Sequence, residues 1–251
     1  MNSKLLAALN LLALACVLTV NTLAIVLPIN GMGTGELSDL YPSLFTPAGF
    51  TFSIWSVIYF LLIGFVIVQS RILSKPYFTE LSLWFLLSSL ANISWILAWH
   101  YLFIYASVLI MLILLFSLTR IFLLLHSFDL NTWKEKIFIK LTFIFYLSWI
   151  CVATIANISA LLVSLSWDGG FLSPVMWTIT MITIASVLGT YISGRFREPA
   201  FLIVLIWALF GIYSKWNGAE NNSIAITALL ELSLLFVLFF VFRFGLKKKT
   251  V

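Results

Sequence analysis

The sequence predicts an all-α fold, a polytopic transmembrane helix bundle of about eight helices. Three observations carry that prediction. Hydrophobic residues fill 63% of the 251 positions and charged residues only 9%, where a soluble domain carries roughly a quarter charged. Mean hydropathy is +1.13, which corresponds to more apolar surface than a water-soluble packing can hide. The apolar runs also recur at lengths near the ~20 residues a helix needs to cross hydrocarbon.

The first run extends from Leu5 to Leu27 behind Lys4. It is longer than a signal-peptide core, and Leu14-Ala15-Cys16 fits a lipoprotein cleavage site poorly, so an uncleaved first helix ended by Pro28 is expected. A Gly-rich connector over residues 29–48 follows, with Glu36 and Asp39 but no Lys or Arg. Its Gly31-Met32-Gly33-Thr34-Gly35 lacks the preceding strand and the Lys-Ser/Thr of a phosphate loop. Further spans are predicted over residues 50–72, 78–99, 102–125, 137–165, 171–191, 199–213 and 223–244. The span over 199–213 is the shortest.

Of the 14 Lys and Arg residues, all but Lys215 fall on one side of such a bundle. Lys4, Arg71, Lys75, Lys134, Lys136, Lys140, Arg195, Arg197, Lys247, Lys248 and Lys249 lie in the loops and tails of that side, with Arg120 and Arg243 near it. By the positive-inside rule both termini are expected in the cytoplasm and the 29–48 connector outside, in a bacterial inner membrane. The net charge of +5 is scattered or terminal, so it is read as a topology signal and no nucleic-acid surface is expected. Cys16 and Cys151 fall in apolar runs and are expected to be reduced, buried thiols.

Three stretches concentrate aromatic and amide groups. In FTPAGFTFSIWSVIYFLLIG, Phe52, Trp55 and Tyr59 are spaced i, i+3, i+7 and form one helical stripe. Pocket lining and plain helix packing both fit it. The third span places Trp84, Ser88, Asn92, Trp95 and Trp99 on one face, and the fifth does so for Tyr146, Trp149, Ala153 and Asn157. An unpaired carboxamide at bilayer depth costs several kcal/mol. Asn92 and Asn157 must therefore face protein, water or a ligand. Interhelical hydrogen bonds worth ~0.6 kcal/mol each are one outcome, and the small Ala153 leaves room for a cavity as another.

These stretches resemble the TspO/MBR family of tryptophan-rich sensory or translocator proteins. Pro47 to Tyr59 is similar to that family's entry into its second helix, and Trp84 through Asn92 and Trp95 to its third. Tyr146-Leu147-Ser148-Trp149, followed by Ala153-Thr154 and Asn157, resembles its fifth. There are departures. Ser88 stands where the family usually has Gln, Phe145 where it has Pro, and Ala156 where it has Leu. The connector offers Leu40-Tyr41-Pro42 instead of a Trp-Tyr pair, and no Tyr-then-Arg pattern follows Asn157. The resemblance covers residues 1–165, a five-helix unit, and leaves 166–251 as additional helices and a basic tail.

The resemblance implies an aromatic intramembrane pocket for a flat hydrophobic ligand, porphyrin- or sterol-like, in a sensory, regulatory or carrier role. Trp55, Trp95 and Trp149 would stack on the ligand, with Asn92 and Asn157 as polar contacts and Phe52, Tyr59, Tyr146 and Ala153 shaping the walls. Porphyrin or haem would be a ligand and not a required cofactor. The partners expected are the lipid bilayer and a hydrophobic small molecule. In the tail, Ala185, Gly189 and Ser193 form a small-xxx-small face suited to intrachain packing or to a homodimer. Glu231 lies mid-span, which makes it a candidate proton-linked group and gives an alternative function, a secondary transporter of a small amphipathic solute. No catalytic residue or metal site is expected. His100 and His126 end opposite faces of the bundle, about 25 helical residues or roughly 37 Å apart, too far to share one haem.

Overall fold

In a computed structural model, residues 2–27 and 29–245 are described, without the side chains of residues 34 and 35. Among them there are helices and connectors and no strand. Helix α1 (Ser3–Val26) begins at Asn2, whose side chain accepts from the Lys4 amide at 2.9 Å. The connector then folds a 3-10 turn (Ile29–Gly31) and the short α2 (Thr34–Asp39). A second 3-10 turn (Gly49–Ser53) holds Phe52 and leads into α3 (Ile54–Val68), which a third (Gln69–Arg71) ends. There follow α4 (Phe78–His100), α5 (Ile104–His126) and a single turn, α6 (Trp133–Glu135). A π-helical stretch (Lys136–Leu141) continues into α7 (Thr142–Ser164). The remaining helices are α8 (Pro174–Phe196), α9 (Ala200–Trp216) and α10 (Asn222–Phe240), the last extended by a π-turn (Val241–Gly245).

Seven of these stretches are long and apolar enough to cross a membrane, and α9 is a shorter apolar helix. Its 17 residues cover about 26 Å at 1.5 Å per residue, slightly less than the ~30 Å hydrocarbon core. The chain is thus an integral membrane helix bundle. The predicted stop at Pro28 and the basic residues Lys247, Lys248 and Lys249 lie outside the described residues. Cys16 corrects an expectation: it is exposed on the outer surface of α1, while Cys151 is half-buried, and both thiols are free. In hydrocarbon an outward face is as apolar as the interior, so hydrophobic surroundings in sequence do not imply burial.

The chain divides into two compact units. The first comprises Met1–Pro42 and Trp55–Ile150. Here α1 buries Leu6, Asn10, Leu14, Val17, Asn21 and Ala24, spaced by steps of four or three that keep one seam facing α4. The two Asn in that seam are paired. Asn10 Nδ2 donates to Gln69 Oε1 at 2.9 Å and to Ser82 Oγ at 3.0 Å. Asn21 Nδ2 donates to Asn92 Oδ1 at 2.8 Å. Phe65, Phe85 and Phe143 meet edge to face with centroids 5.0–6.1 Å apart, tying α3, α4 and α7. Gly64 lies so close to the Phe138 ring that a Cβ there would collide with it.

At the end of this unit where α4 begins, Glu135 is buried because its own backbone satisfies it. Its carboxylate accepts from the Asn131 and Thr132 amides at 3.0 and 3.4 Å, and Thr132 Oγ1 accepts from the Glu135 amide at 3.2 Å, a capping box. Tyr77, just ahead of α4, packs on Phe128 with centroids 4.9 Å apart. Its buried hydroxyl has no hydrogen-bond partner among the described residues. Burial, and then the Glu135 carboxylate, push the phenol up from its usual 10.0 to about 12. The folded state therefore keeps a proton that the unfolded chain releases above pH 10, and stability falls as pH rises from about 10 to 12. Tyr77→Phe is expected to raise stability in detergent by about 1 kcal/mol at neutral pH, since it removes an unpaired buried hydroxyl. It should also flatten the pH 10–12 limb of a thermal-unfolding series.

The second unit comprises Ser43–Ile54 and Cys151–Val251. Its α8 starts at Ser173, whose hydroxyl accepts from the Met176 amide at 3.3 Å, with Pro174 as first residue. The α8 face that includes Ile182, Ser186, Gly189 and Ser193 is buried, and a Cβ on Gly189 would collide with Leu205 of α9. The small residues thus allow a close intrachain approach. Helix α10 packs on α9 and α8 through Ile224, Ala225, Ala228 and Leu235. The segment 43–54 is bound along α9. The Ala48 amide donates to Gly211 O at 3.1 Å. Trp207 Nε1 donates to Thr51 O at 2.8 Å, Lys215 Nζ to Thr46 O at 3.0 Å and Trp216 Nε1 to Leu44 O at 2.9 Å.

Candidate functional site

The aromatic residues singled out in the sequence gather chiefly in the first unit. Trp55, in the first turn of α3, stacks on Tyr59 one turn later, with centroids 5.4 Å apart and planes 21° from parallel. Its edge contacts run to α7: Tyr146 at 5.8 Å and Trp149 at 6.4 Å, both close to perpendicular. These are the offset and T-shaped geometries that aromatic quadrupoles favour. Tyr146 and Trp149 are buried and Trp55 and Tyr59 are half-buried, so the cluster opens on its α3 side. At these separations the rings touch.

Polar atoms lie directly against this cluster. Asn92, fully buried on α4, donates through Nδ2 to the Tyr146 hydroxyl at 3.1 Å while its Oδ1 accepts from Asn21. Asn21 Nδ2 donates in addition to Val17 O at 2.9 Å. The result is a relay from α1 through α4 to the ring wall of α7, in which the Asn92 carboxamide joins three helices. Asn21 was not among the expected site residues. A polar side chain interrupting the apolar α1 run was its signal.

Trp95 stacks on Trp99, centroids 6.3 Å apart, and Tyr41 lies 5.9 Å from Trp99. The connector covers this end of α4: Asn30 Nδ2 donates to His100 O at 3.0 Å, and His100 Nδ1 lies 3.1 Å from Ile29 O. His126, at the far end of α5, stacks on Phe122. The described residues hold no group of three or more His, Cys, Asp or Glu that could bind a metal ion.

Phe52, Ala153 and Asn157 belong to the second unit, Phe52 in the 3-10 turn and the other two one turn apart on α7. Phe52 and Ala153 are half-buried and Asn157 is buried. Beside Ala153, Val152 lines a small apolar cavity with Phe45, Ser186, Leu205 and Leu209. The space suits a water-sized guest and nothing larger. Glu231, halfway along α10, is half-buried and has no hydrogen bond or ion pair among the described residues.

A family model described as TSPO-like protein matches residues 7–241, and so continues through α8 and α9 and to the end of α10. No curated protein and no solved structure matches the chain.

Proposed function

The chain belongs to the TSPO-like protein family, and on that premise we propose that it binds a flat, hydrophobic small molecule of porphyrin or sterol shape against the Trp55 cluster. The observation that carries this reading is the Trp55 ring held among Tyr59, Tyr146 and Trp149, with the Asn92–Tyr146 hydrogen bond at its edge. Stacking faces supply affinity, and the phenol and carboxamide supply a polar anchor. A sensory, regulatory or carrier role in a bacterial inner membrane, with both termini cytoplasmic, fits the basic loops.

The ligand is proposed to be neutral. The connector that covers the Trp99 end of α4 carries Glu36 and Asp39, and no Lys or Arg occurs between residues 5 and 70 or 76 and 119. A carboxylate-bearing ligand meets the field of these two carboxylates, strongest at low salt. A quenching titration should therefore find protoporphyrin dimethyl ester binding more tightly than the free diacid, with the gap narrowing as salt is added. Tighter binding of the diacid at low salt would overturn the neutral-ligand reading.

A second reading, a proton-linked carrier, is supported by the unpartnered Glu231 carboxylate at mid-span. Solute uptake into vesicles that Glu231→Gln abolishes would favour it, and uptake indifferent to that change would remove it.

A further inference from the structure

One exposed ion pair lies outside the aromatic cluster. Glu80, in the first turn of α4, meets Arg120, six residues before the end of α5, at 3.3 Å. Both side chains are nearly half exposed, 46 and 47%. Trp84 Nε1 donates to the same Glu80 oxygen at 3.2 Å, and the Arg120 guanidinium stands 5.4 Å from the Trp84 ring centre. Phe116 meets Trp84 edge-on at 5.6 Å. Glu80 with Trp84, and Phe116 with Arg120, are i, i+4 pairs, so the four side chains form two stacked rows across α4 and α5.

The rows are ordered by depth. Helix α4 leaves this end of the bundle and α5 returns to it, so Trp84 and Phe116 lie deeper than the charged pair by about one turn, ~6 Å. Leu112, exposed one further turn along α5, continues the column. Charge, then aromatic ring, then aliphatic chain is the polarity gradient of a phospholipid. Arg120 has five N–H donors in a rigid fork, and among the described residues only Nη2 is bonded, to Glu80. Donors left unmade beside hydrocarbon are costly, and the acceptors within reach of a snorkelling Arg are lipid phosphate oxygens. The loops at this end add Arg71 and Lys75 before α4 and Lys134 and Lys136 after α5. Against them stand Asp129 and a Glu135 already occupied by its own backbone. The rim is positive, which favours an anionic headgroup over a zwitterionic one.

We infer that Glu80, Trp84, Phe116 and Arg120 form a seat for an anionic phospholipid, whose phosphate accepts from the Arg120 guanidinium while one acyl chain lies along Phe116 and Leu112. In this arrangement Glu80 orients the guanidinium and competes with the lipid for it. The two charges therefore have opposite effects on binding, which a merely structural ion pair would not produce.

The test is native mass spectrometry of the full chain in detergent, titrated with phosphatidylglycerol or phosphatidylcholine of matched chains. Wild type should bind its first phosphatidylglycerol several-fold more tightly than phosphatidylcholine. Arg120→Gln should weaken that adduct by on the order of tenfold, the worth of one charge-assisted hydrogen bond, and Glu80→Gln should strengthen it. The pair is exposed, so neither change should prevent folding. Equal binding of the two lipids by wild type, an unchanged adduct in Arg120→Gln, or weakening in both variants would each overturn the inference.

Discussion

Replacing Asn92 with Leu should destabilise the protein by about 2–4 kcal/mol, the largest loss expected from any single polar side chain in the first unit. The substitution fits the volume, so the cost comes from what it leaves behind. The Tyr146 hydroxyl loses its donor and Asn21 loses one of its two acceptors, both in a buried seam. A hydrogen bond between membrane helices is worth only ~0.6 kcal/mol on average, but an orphaned buried partner costs ~1–3 kcal/mol, and that second term decides. Ser88→Ala, on the same helix, is the control. Its hydroxyl donates within its own helix to Phe85 O at 2.8 Å, so its loss should change stability by less than about 0.5 kcal/mol. Thermal unfolding of the two variants in one detergent separates these outcomes. Equal small shifts would mean that the α1–α4–α7 relay contributes little.

Gly211→Val should release the 43–54 segment from α9. A Cβ at Gly211 would occupy the position of the Thr51 side chain, and the neighbouring carbonyl accepts the Ala48 amide. Overpacking of this kind costs about 1–3 kcal/mol, and here it acts where four long-range hydrogen bonds and the Phe50 contacts with Trp207 and Phe210 converge. The readout is thiol labelling at Thr46→Cys in a background lacking Cys16 and Cys151. Thr46 is 7% exposed, so labelling should be slow in the parent and faster by at least about tenfold once the segment is free. Slow labelling in both would mean that Val is accommodated without detachment.

The membrane helices were legible because each is a long apolar run, and hydropathy is a local property of sequence. Asn92 was legible as a group that had to be paired. Its partner was not, because Asn21 lies 71 positions away and nothing local says which seam of α1 turns inward. The role of α9 was hidden for the same reason. Trp207, Lys215 and Trp216 bond to carbonyls 156–172 positions away, and backbone carbonyls carry no sequence signature. Lys215 stood out only as a cation on the wrong side of a charge count. The i, i+3, i+7 spacing predicts Phe52 on a helical stripe with Trp55 and Tyr59, whereas the chain makes a 3-10 turn over Gly49–Ser53 before α3 begins. The pattern of three aromatics is read equally well by either backbone.

Whether a flat ligand stacks at the aromatic cluster is tested most directly by one comparison: quenching titrations of wild type and Trp55→Ala with protoporphyrin dimethyl ester. Trp55 touches three other rings and, with Tyr59, is one of the two half-buried members of the cluster. Wild type should show saturable binding, and the variant should bind several-fold to about tenfold more weakly, the worth of one aromatic stacking partner. Saturable binding of equal affinity in both proteins would contradict the assignment of the site.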